Sequence, residues 1–346
     1  MNLYLFPATP GMNGGYNYGV KYAYEKLRPK AEDVCVWCDA NINTIPKGHQ
    51  SYFIKLANFY SWNAFKRILG GKFSQELSVS DLSILNSYEF DNIFCDEVIF
   101  YHAIREKYPT KKITLRFHNV FARILLRQKI LGVRVDWRFW GKMKILSKLE
   151  HEIFTDTNVY KIFITDEDAE YYKIITGKND YEVWHYEPSQ EKMLSTRPSK
   201  IQIERKLVWF GGVEGHKTSS IRWVIQSVLP KIREKYPETE FHLYGSHTEV
   251  FDDSDNLVFG HGFYEGNDIP FKNRALFVNP DILGGGIKVK LLTFFNQSQP
   301  FISSPFGYEG YSYDLEDGIF CMVANNEDWA NTIERYFEKF SNTTKK

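Results

Sequence analysis

The residues best equipped for chemistry sit in one stretch, 275–293, with the sequence ALFVNPDILGGGIKVKLLT. Its pattern predicts a short apolar strand from Ala275 to Val278 and a turn through Pro280. Three glycines follow (Gly284, Gly285, Gly286), then a helix that opens at Ile287 and carries Lys288 and Lys290. Such an arrangement can cradle a phosphate. Glycines let the backbone pass close to a ligand, and the first turn of a helix leaves N–H groups unpaired. The positive end of the helix dipole favours an anion there, and two lysines add full charges. The same residues would also suit a loop that only turns the chain. A second candidate group closes the segment KKITLRFHNV (111–120), a strand ending in Arg116, His118 and Asn119. Polar groups at the carboxyl end of a parallel strand stand where ligands meet such sheets.

Two other patterns look chemical and read as structural. Cys35 and Cys38 form a CxxC on a strand-like segment (34–40), where residues three apart face opposite ways, and no second CxxC is present. The acidic run DDSD at 252–255 falls where a polar turn is needed, so no metal site is expected there.

The elements that must position these residues follow from length and pattern. With 346 residues, two domains of ordinary size are expected. The 43 basic and 43 acidic residues cancel, so no global field draws nucleic acid, and none is expected as a partner. Four cysteines in so long a chain argue for a reducing, cytoplasmic setting. The start MNLYLFPATPG lacks the basic region of a signal peptide. No window approaches the roughly 18 apolar residues of a membrane span.

Along the chain, NLYLFP (2–7) reads as a buried strand, followed by a glycine-rich loop with Gly14 and Gly15 and a helix through KYAYEKL. That loop does not match GxGxxG, so it suits either close approach by a polar ligand or tight helix packing. Strands are expected at 34–40, 92–100 and 111–120. Residues 121–149 carry eight basic residues, including Arg134 and Arg138, against Asp136 alone, interleaved with Trp137, Phe139 and Trp140. This suits an anionic lipid surface or an anionic acceptor, or a solvated helix face. Thr165 reads as an N-cap with Asp168 in capping-box position, which gives the acids at 166–168 a structural role. A polar connection broken by Pro188 and Pro198 precedes a second half that repeats the strand–helix alternation from 205. The chain divides into an N-terminal domain (1–187), a linker (188–204), a C-terminal domain (205–328) and a terminal helix (329–346) expected to pack back on the first domain. Two doubly wound α/β domains are implied, with a site in the cleft between them.

The second-half loops occur in the order WFGGVEGHKTS, LYGS, GHG, NPDILGGGIKVKLL and SPFGYEGY. In that order they resemble the C-terminal domain of GT-B glycosyltransferases, especially family 4 and its relatives. Those proteins show a glycine-ending strand with a downstream lysine, an "ivG" strand, an "f.G" turn and a GxGxK helix. They close with a "PvisT..g.eG" segment. The match covers about the last 140 residues well and the first half loosely.

The resemblance implies two Rossmann-like domains facing a cleft and hexosyl transfer from a nucleoside diphosphate sugar, UDP among the carriers. It further implies retention of configuration, with neither metal nor cofactor. The acceptor implied is a glycan or a lipid-linked glycan in surface polysaccharide synthesis. A cytoplasmic enzyme at the inner face of the membrane fits this reading, and a homo-oligomer is compatible with it. By the resemblance Lys217 and Lys288 hold the diphosphate and His118 lies near the donor sugar. Gly14, Gly15, Gly212, Gly284, Gly285 and Gly286 line the donor site, with Tyr308, Glu309 and Gly310 at the sugar. Arg116, Arg134, Trp137, Arg138 and Trp140 fall on the acceptor or membrane side.

Two departures stand out. Gly212 occupies the place of a family arginine, and Gly285 and Thr293 occupy the places of a glutamate pair whose second member holds the ribose. Stabilising the leaving diphosphate draws roughly 0.3–2 kcal/mol from the helix dipole. Each lysine adds about 1.5–3 kcal/mol. The rivals are a nucleotide-sugar epimerase, which needs carboxylates in the cleft, and a GT-B-like subunit without donor binding.

Overall fold

The computed structural model describes residues 1–8, 15–38, 44–54, 77, 79–132, 137–186, 203–213, 216–264, 269–311, 321–323 and 325–341. They form two compact units. The first holds the described residues through Tyr186 together with Gly285–Ile287, and the second holds those from Ile203 to Gly284 and from Lys288 onward.

Each unit is built on one parallel sheet. The first has seven strands: β1 (Asn2–Phe6), β2 (Val34–Cys38), β3 (Gln50–Ile54), β4 (Asn92–Cys95), β5 (Ile113–Phe117), β6 (Val159–Phe163) and β7 (Tyr181–Val183). Their order is β3-β2-β1-β4-β5-β6-β7. The second has β8 (Lys206–Phe210), β9 (Glu240–Tyr244), β10 (Val258–Gly260), β11 (Leu276–Asn279), β12 (Phe301–Ser303) and β13 (Cys321–Val323), in the order β10-β9-β8-β11-β12-β13. Both are doubly wound, as the alternation predicts. Chain direction across the sheet reverses beside β1 and β4 in one unit and β8 and β11 in the other. Such switch points leave a crevice at the strands' carboxyl ends. Every residue of β2 is buried, as expected of a central parallel strand with helices on both faces.

The helices among the described residues are α1 (Gly15–Leu27), α2 (Tyr101–Lys107), α3 (Phe121–Leu131), α4 (Trp137–Thr155) and α5 (Asp166–Thr176) in the first unit. The second has α6 (His216–Trp223), α7 (Leu229–Lys235), α8 (Val289–Asn296) and α9 (Trp329–Ser341). Thr165 caps α5 by accepting from the Asp168 N–H at 3.1 Å, as expected of an N-cap, and the Asp168 carboxylate pairs with Arg123 at 3.0 Å. α6 and α7 form one rod interrupted by a π-helical turn, Val224–Val228. Pro230 lacks the N–H that a continuous α-helix would use.

Several expectations need correction. β4 stops at Cys95 rather than running to residue 100, since Glu97 turns back to accept the Val98 N–H at 2.9 Å and starts a 3-10 turn. The polar stretch from Asn179, ahead of Pro188, includes β7, which pairs with β6, and delivers buried Trp184 and Tyr186 to the core. A three-residue edge strand is too short to show a period in sequence. The terminal helix, expected to pack back on the first domain, belongs to the core of the second unit. Trp329, Ile333, Tyr336 and Phe337 lie on one helical face and join Trp209, Ile221, Leu229 and Phe241 in the core of the second.

Candidate functional site

The glycine stretch follows β11 of the second unit as expected. Gly284 has φ +127 and Gly286 φ +57, values that disfavour any residue with a Cβ. The helix opens two residues later than the sequence suggests. α8 starts at Val289, with Lys288 in the N-cap place, so Lys288 precedes the helix rather than riding on it. Its ammonium lies 4.3 Å from the Phe306 ring centroid, and its carbonyl accepts from the Tyr311 hydroxyl at 2.9 Å.

Lys290 behaves differently from its neighbour. It points into the protein and pairs with buried Asp281 at 3.1 Å, so it serves the fold instead of adding charge to the cradle. Burial would raise the Asp281 carboxyl, yet the lysines around it (Lys290, Lys288 and Lys217) hold it below the usual carboxylate range. Burial pushes the Lys290 ammonium down, and Asp281 offsets part of that. Asp281 thus sits in the field of three lysines, of which Lys290 pairs with it directly.

The linkage has a definite sign. A carboxylate with a lowered folded pKa contributes stability above its unfolded value of about 3.9 and loses it as pH falls through the lowered value. Melting temperature should therefore drop more steeply on acidification in the wild-type protein than in Asp281→Asn. Parallel curves from about pH 7 to about pH 3 would refute the linkage.

Lys217 is the second residue of α6 and is half-buried. Gly212 lies just past β8, where Val213 donates to the Ser246 carbonyl at 2.9 Å. Tyr308, Glu309 and Gly310 form the turn after β12, with Gly310 at φ +82. The turn is anchored from below. Asn279 donates to Ser303 Oγ (3.0 Å) and to the Gly307 carbonyl (3.2 Å), and Ser304 Oγ accepts from the Gly307 N–H at 2.9 Å. Thr293 is exposed on α8, between the buried pairs Leu291–Leu292 and Phe294–Phe295.

In the first unit the polar end of β5 is a buried network. Arg116 is fully buried and cannot belong to an acceptor or membrane-facing surface, contrary to expectation. It donates to Asp96 Oδ1 (2.5 Å), the Tyr186 hydroxyl (2.9 Å) and the Gly19 carbonyl (2.6 Å). Burial disfavours its charge, but Asp96 and Tyr186 hold the guanidinium above its ordinary value. His118 Nε2 lies 3.2 Å from Arg116 Nη2 and 3.3 Å from Asp96 Oδ1, which fixes the ring. Gly19 on α1 is required by closeness: a Cβ there would meet the Tyr186 hydroxyl at 2.5 Å and His118 Cε1 at 3.0 Å. Gly285 and Gly286 belong to this unit too, where a Cβ would meet Asn119 Oδ1 at 2.7 Å and the His118 carbonyl at 2.3 Å respectively. The structure thus brings His118, Asn119, Gly285 and Gly286 together.

Asp96, Glu97, Gly19, Tyr186, Asp281 and Glu150 were not legible as site residues. The one available signal was the pair Asp96–Glu97 directly after an apolar strand. Burial raises the Glu97 carboxyl. Glu150 is buried on α4 and accepts from the Phe121 and Ala122 N–H groups (2.6 and 2.8 Å), so it caps α3 just beyond His118. Burial raises its carboxyl well above the usual range.

Of the remaining candidates, Gly14 and Arg134 lie outside the described residues. Gly15 begins α1, and Trp137 and Arg138 begin α4, with their side-chain surroundings outside the description. Trp140 is exposed, with Lys144 Nζ 4.2 Å from its ring centroid. The acidic run at 252–255 is a turn in which Asp253 accepts from the Asn256 N–H and Asp252 from the Gly260 N–H. Cys35 and Cys38 are both buried in β2. Among the described residues no group of three His, Cys, Asp or Glu side chains could hold a metal.

Comparison with known proteins agrees with this geometry. Residues 204–339 match the family model described as Glycosyl transferases group 1. No curated protein matches the chain by sequence. Among solved structures the chain is similar to WaaG, a glycosyltransferase involved in lipopolysaccharide biosynthesis, with TM-score 0.64, 11% identity and coverage of 97% of this chain and 90% of that one. It is similar also to sucrose-phosphate synthase from Thermosynechococcus elongatus, with TM-score 0.60, 12% identity and coverage of 98% and 90%. A third is an E. coli trehalose-6-phosphate protein bound with UDP-2-fluoro glucose, with TM-score 0.57, 11% identity and coverage of 99% and 91%. In fold, then, the chain is a GT-B protein of two Rossmann-like domains, and its residues 204–339 match the group 1 glycosyltransferases.

Proposed function

We propose that this protein transfers a hexosyl group from a nucleoside diphosphate sugar, of the UDP type, to a glycan or lipid-linked glycan of a surface polysaccharide. The observation that carries the reading is the cradle at the carboxyl edge of the second sheet. A positive-φ glycine turn leads into the N-terminus of α8, with Lys288 at its cap and the charges of Lys217 and Lys288 felt at the same buried Asp281. Preorganised positive charge of this kind stabilises a leaving diphosphate and is often the largest catalytic contribution. The E. coli neighbour named above as bound with UDP-2-fluoro glucose supports a uridine carrier.

In the proposed reaction the sugar–phosphate bond breaks as the acceptor hydroxyl attacks from the same face, and the hydroxyl proton passes to the departing phosphate oxygen. That route gives retention without a protein nucleophile, a metal or a further cofactor. Lys217 and Lys288 take the developing phosphate charge. His118, held by Asp96 and Arg116, meets the donor sugar. The epimerase reading gains nothing from the carboxylates nearest His118, since Asp96 is taken up by Arg116 and Glu97 caps the turn at Val98.

Calorimetric titration with a panel of nucleotide sugars tests the proposal. Binding of one of them, weakened at least tenfold (about 1.4 kcal/mol) in Lys217→Ala and Lys288→Ala, is the expected result. Unchanged affinity in both variants would show that the cradle is misassigned. Failure of every nucleotide sugar to bind the wild-type protein would favour a GT-B-like subunit whose exposed Thr293 replaces a ribose-binding glutamate.

A further inference from the structure

Helix α3 begins two residues after Asn119, and its start has no cap of its own. Val120 holds the N-cap position, is fully buried and offers no side-chain acceptor to the first turn. The leading N–H groups of a helix so placed would be left orphaned inside the protein. Glu150, on α4 and fully buried, supplies both acceptors from 28 and 29 residues away. Its Oε1 accepts from the Phe121 N–H at 2.6 Å and its Oε2 from the Ala122 N–H at 2.8 Å. The next residue, Arg123, is held from α5 by Asp168. Other helices, and not the sequence at its own start, therefore set where α3 begins. That start lies against the candidate site. A Cβ on Gly285 would meet Asn119 Oδ1 and Ile124 Cδ1, both at 2.7 Å, and one on Gly286 would meet the His118 carbonyl.

We propose that Glu150 is a positioning residue for sugar transfer, whose carboxylate fixes the start of α3 and, through Asn119 and Val120, the place of His118. The proposal rests on the reading that His118 meets the donor sugar. A carboxylate is suited to this task because both of its oxygens accept. The amide of glutamine has one acceptor oxygen and would turn a donor toward the second N–H. Stability by itself does not call for a charge here. Burial opposes ionisation of Glu150, and so do Asp168 on α5 and Glu97 beyond β4. Tyr171 on α5 is the remaining titratable group that feels its charge. A neutral side chain of the same shape should therefore leave the fold no less stable while it misplaces the turn. A charge that the fold would do as well without, joined to the loop of His118, marks a group kept for position.

Glu150→Gln in the full chain decides it, read by thermal unfolding, by the Cε1–H magnetic resonance of His118 and by calorimetry with UDP-glucose and UDP. The His118 signal is assigned by its loss in His118→Gln. The expected result is a melting temperature no lower than that of the wild type and a displaced His118 signal. UDP-glucose should bind at least tenfold more weakly, whereas UDP, held by the lysines, should change less than about threefold. Adding Val120→Thr to Glu150→Gln supplies an N-cap hydroxyl from the loop itself. It should return the His118 signal toward its wild-type position and recover UDP-glucose affinity. An unmoved His118 signal in Glu150→Gln would overturn the proposal. So would a lowered melting temperature with equal losses for UDP-glucose and UDP, which would make Glu150 a brace of the fold alone. A double variant that recovers nothing would show that Glu150 does not act through the start of α3, and would overturn it as well. The His118 signal is read without nucleotide. A wild-type protein that binds no nucleotide sugar would thus count against the sugar-transfer reading, while an unmoved signal counts against Glu150.

Discussion

Replacing Asp96 by alanine should cost the first unit about 3–5 kcal/mol, because it leaves a guanidinium buried without its counter-charge. Arg116 and Asp96 are both fully buried, and Arg116 has further hydrogen bonds to Tyr186 and Gly19. Those neutral acceptors keep some of the desolvated charge satisfied, yet neither carries an opposite charge. The loss should appear in denaturant unfolding as a lowered midpoint. It should come with weakened nucleotide-sugar binding, since His118 leans on the same Asp96 oxygen at 3.3 Å. Adding Arg116→Met to Asp96→Ala should recover part of the stability by removing the orphaned charge. The recovered protein would still lack whatever binding depends on the placement of His118. A cost below about 1 kcal/mol for Asp96→Ala would mean that water reaches Arg116 and the network is not closed.

Gly245→Ala should be comparably damaging, by about 3–5 kcal/mol, and for a steric reason. Gly245 follows β9 with φ +135, and a Cβ there would fall 1.9 Å from the Gly211 carbonyl oxygen. The obstacle is Gly211 backbone, which cannot swing aside as a side chain can. Gly211 donates to the Tyr244 carbonyl at 2.9 Å, and Gly245 donates to the Gly262 carbonyl at 2.8 Å. Thr248 Oγ1 ties the same loops by donating to the Gly245 carbonyl at 3.0 Å and accepting from the Gly262 N–H at 2.8 Å. The carboxyl ends of β8, β9 and β10 are thereby fixed beside the loop that carries Gly212 and leads to Lys217. Gly141 in α4 is the control: nothing lies within 4 Å of its added Cβ. There alanine should stabilise by about 0.5–1 kcal/mol through helix propensity. If the two substitutions had similar effects on unfolding, the close approach at Gly245 would be refuted.

Much of the architecture was legible in the chain. Apolar runs such as NLYLF and KLVWF, each followed by a helix with apolar residues at helical spacing, announce parallel strands and crossovers. Their periods depend only on residues a few places apart. Short edge strands were not legible. β3, with three of its five residues exposed, and β7, with three residues, carry too little pattern. The extent of β4 was misjudged for another reason: the acids that end it look like part of a longer apolar run until Glu97 is seen to cap a turn.

The site divides the same way. Residue types and their local order mark the glycine turn after β11, the lysine at 217 and the strand that ends near His118, because a phosphate cradle is a local device of one strand, one turn and one helix. Which lysine faces the cradle is not local. Lys288 and Lys290 are two residues apart, but Lys290 is drawn inward by Asp281, which lies on the far side of the glycine turn. Likewise Arg116 reads in sequence as a surface cation beside His118. Its partners are 20, 70 and 97 residues away, and only the packing of β4, β5 and α1 with the segment after β7 brings them together. Sequence by itself determined the two doubly wound domains and the strand, glycine turn and helix of residues 275–293. Tertiary structure decided which charges are neutralised inside and which remain to act, because burial and pairing are set by neighbours that the order of residues does not place side by side.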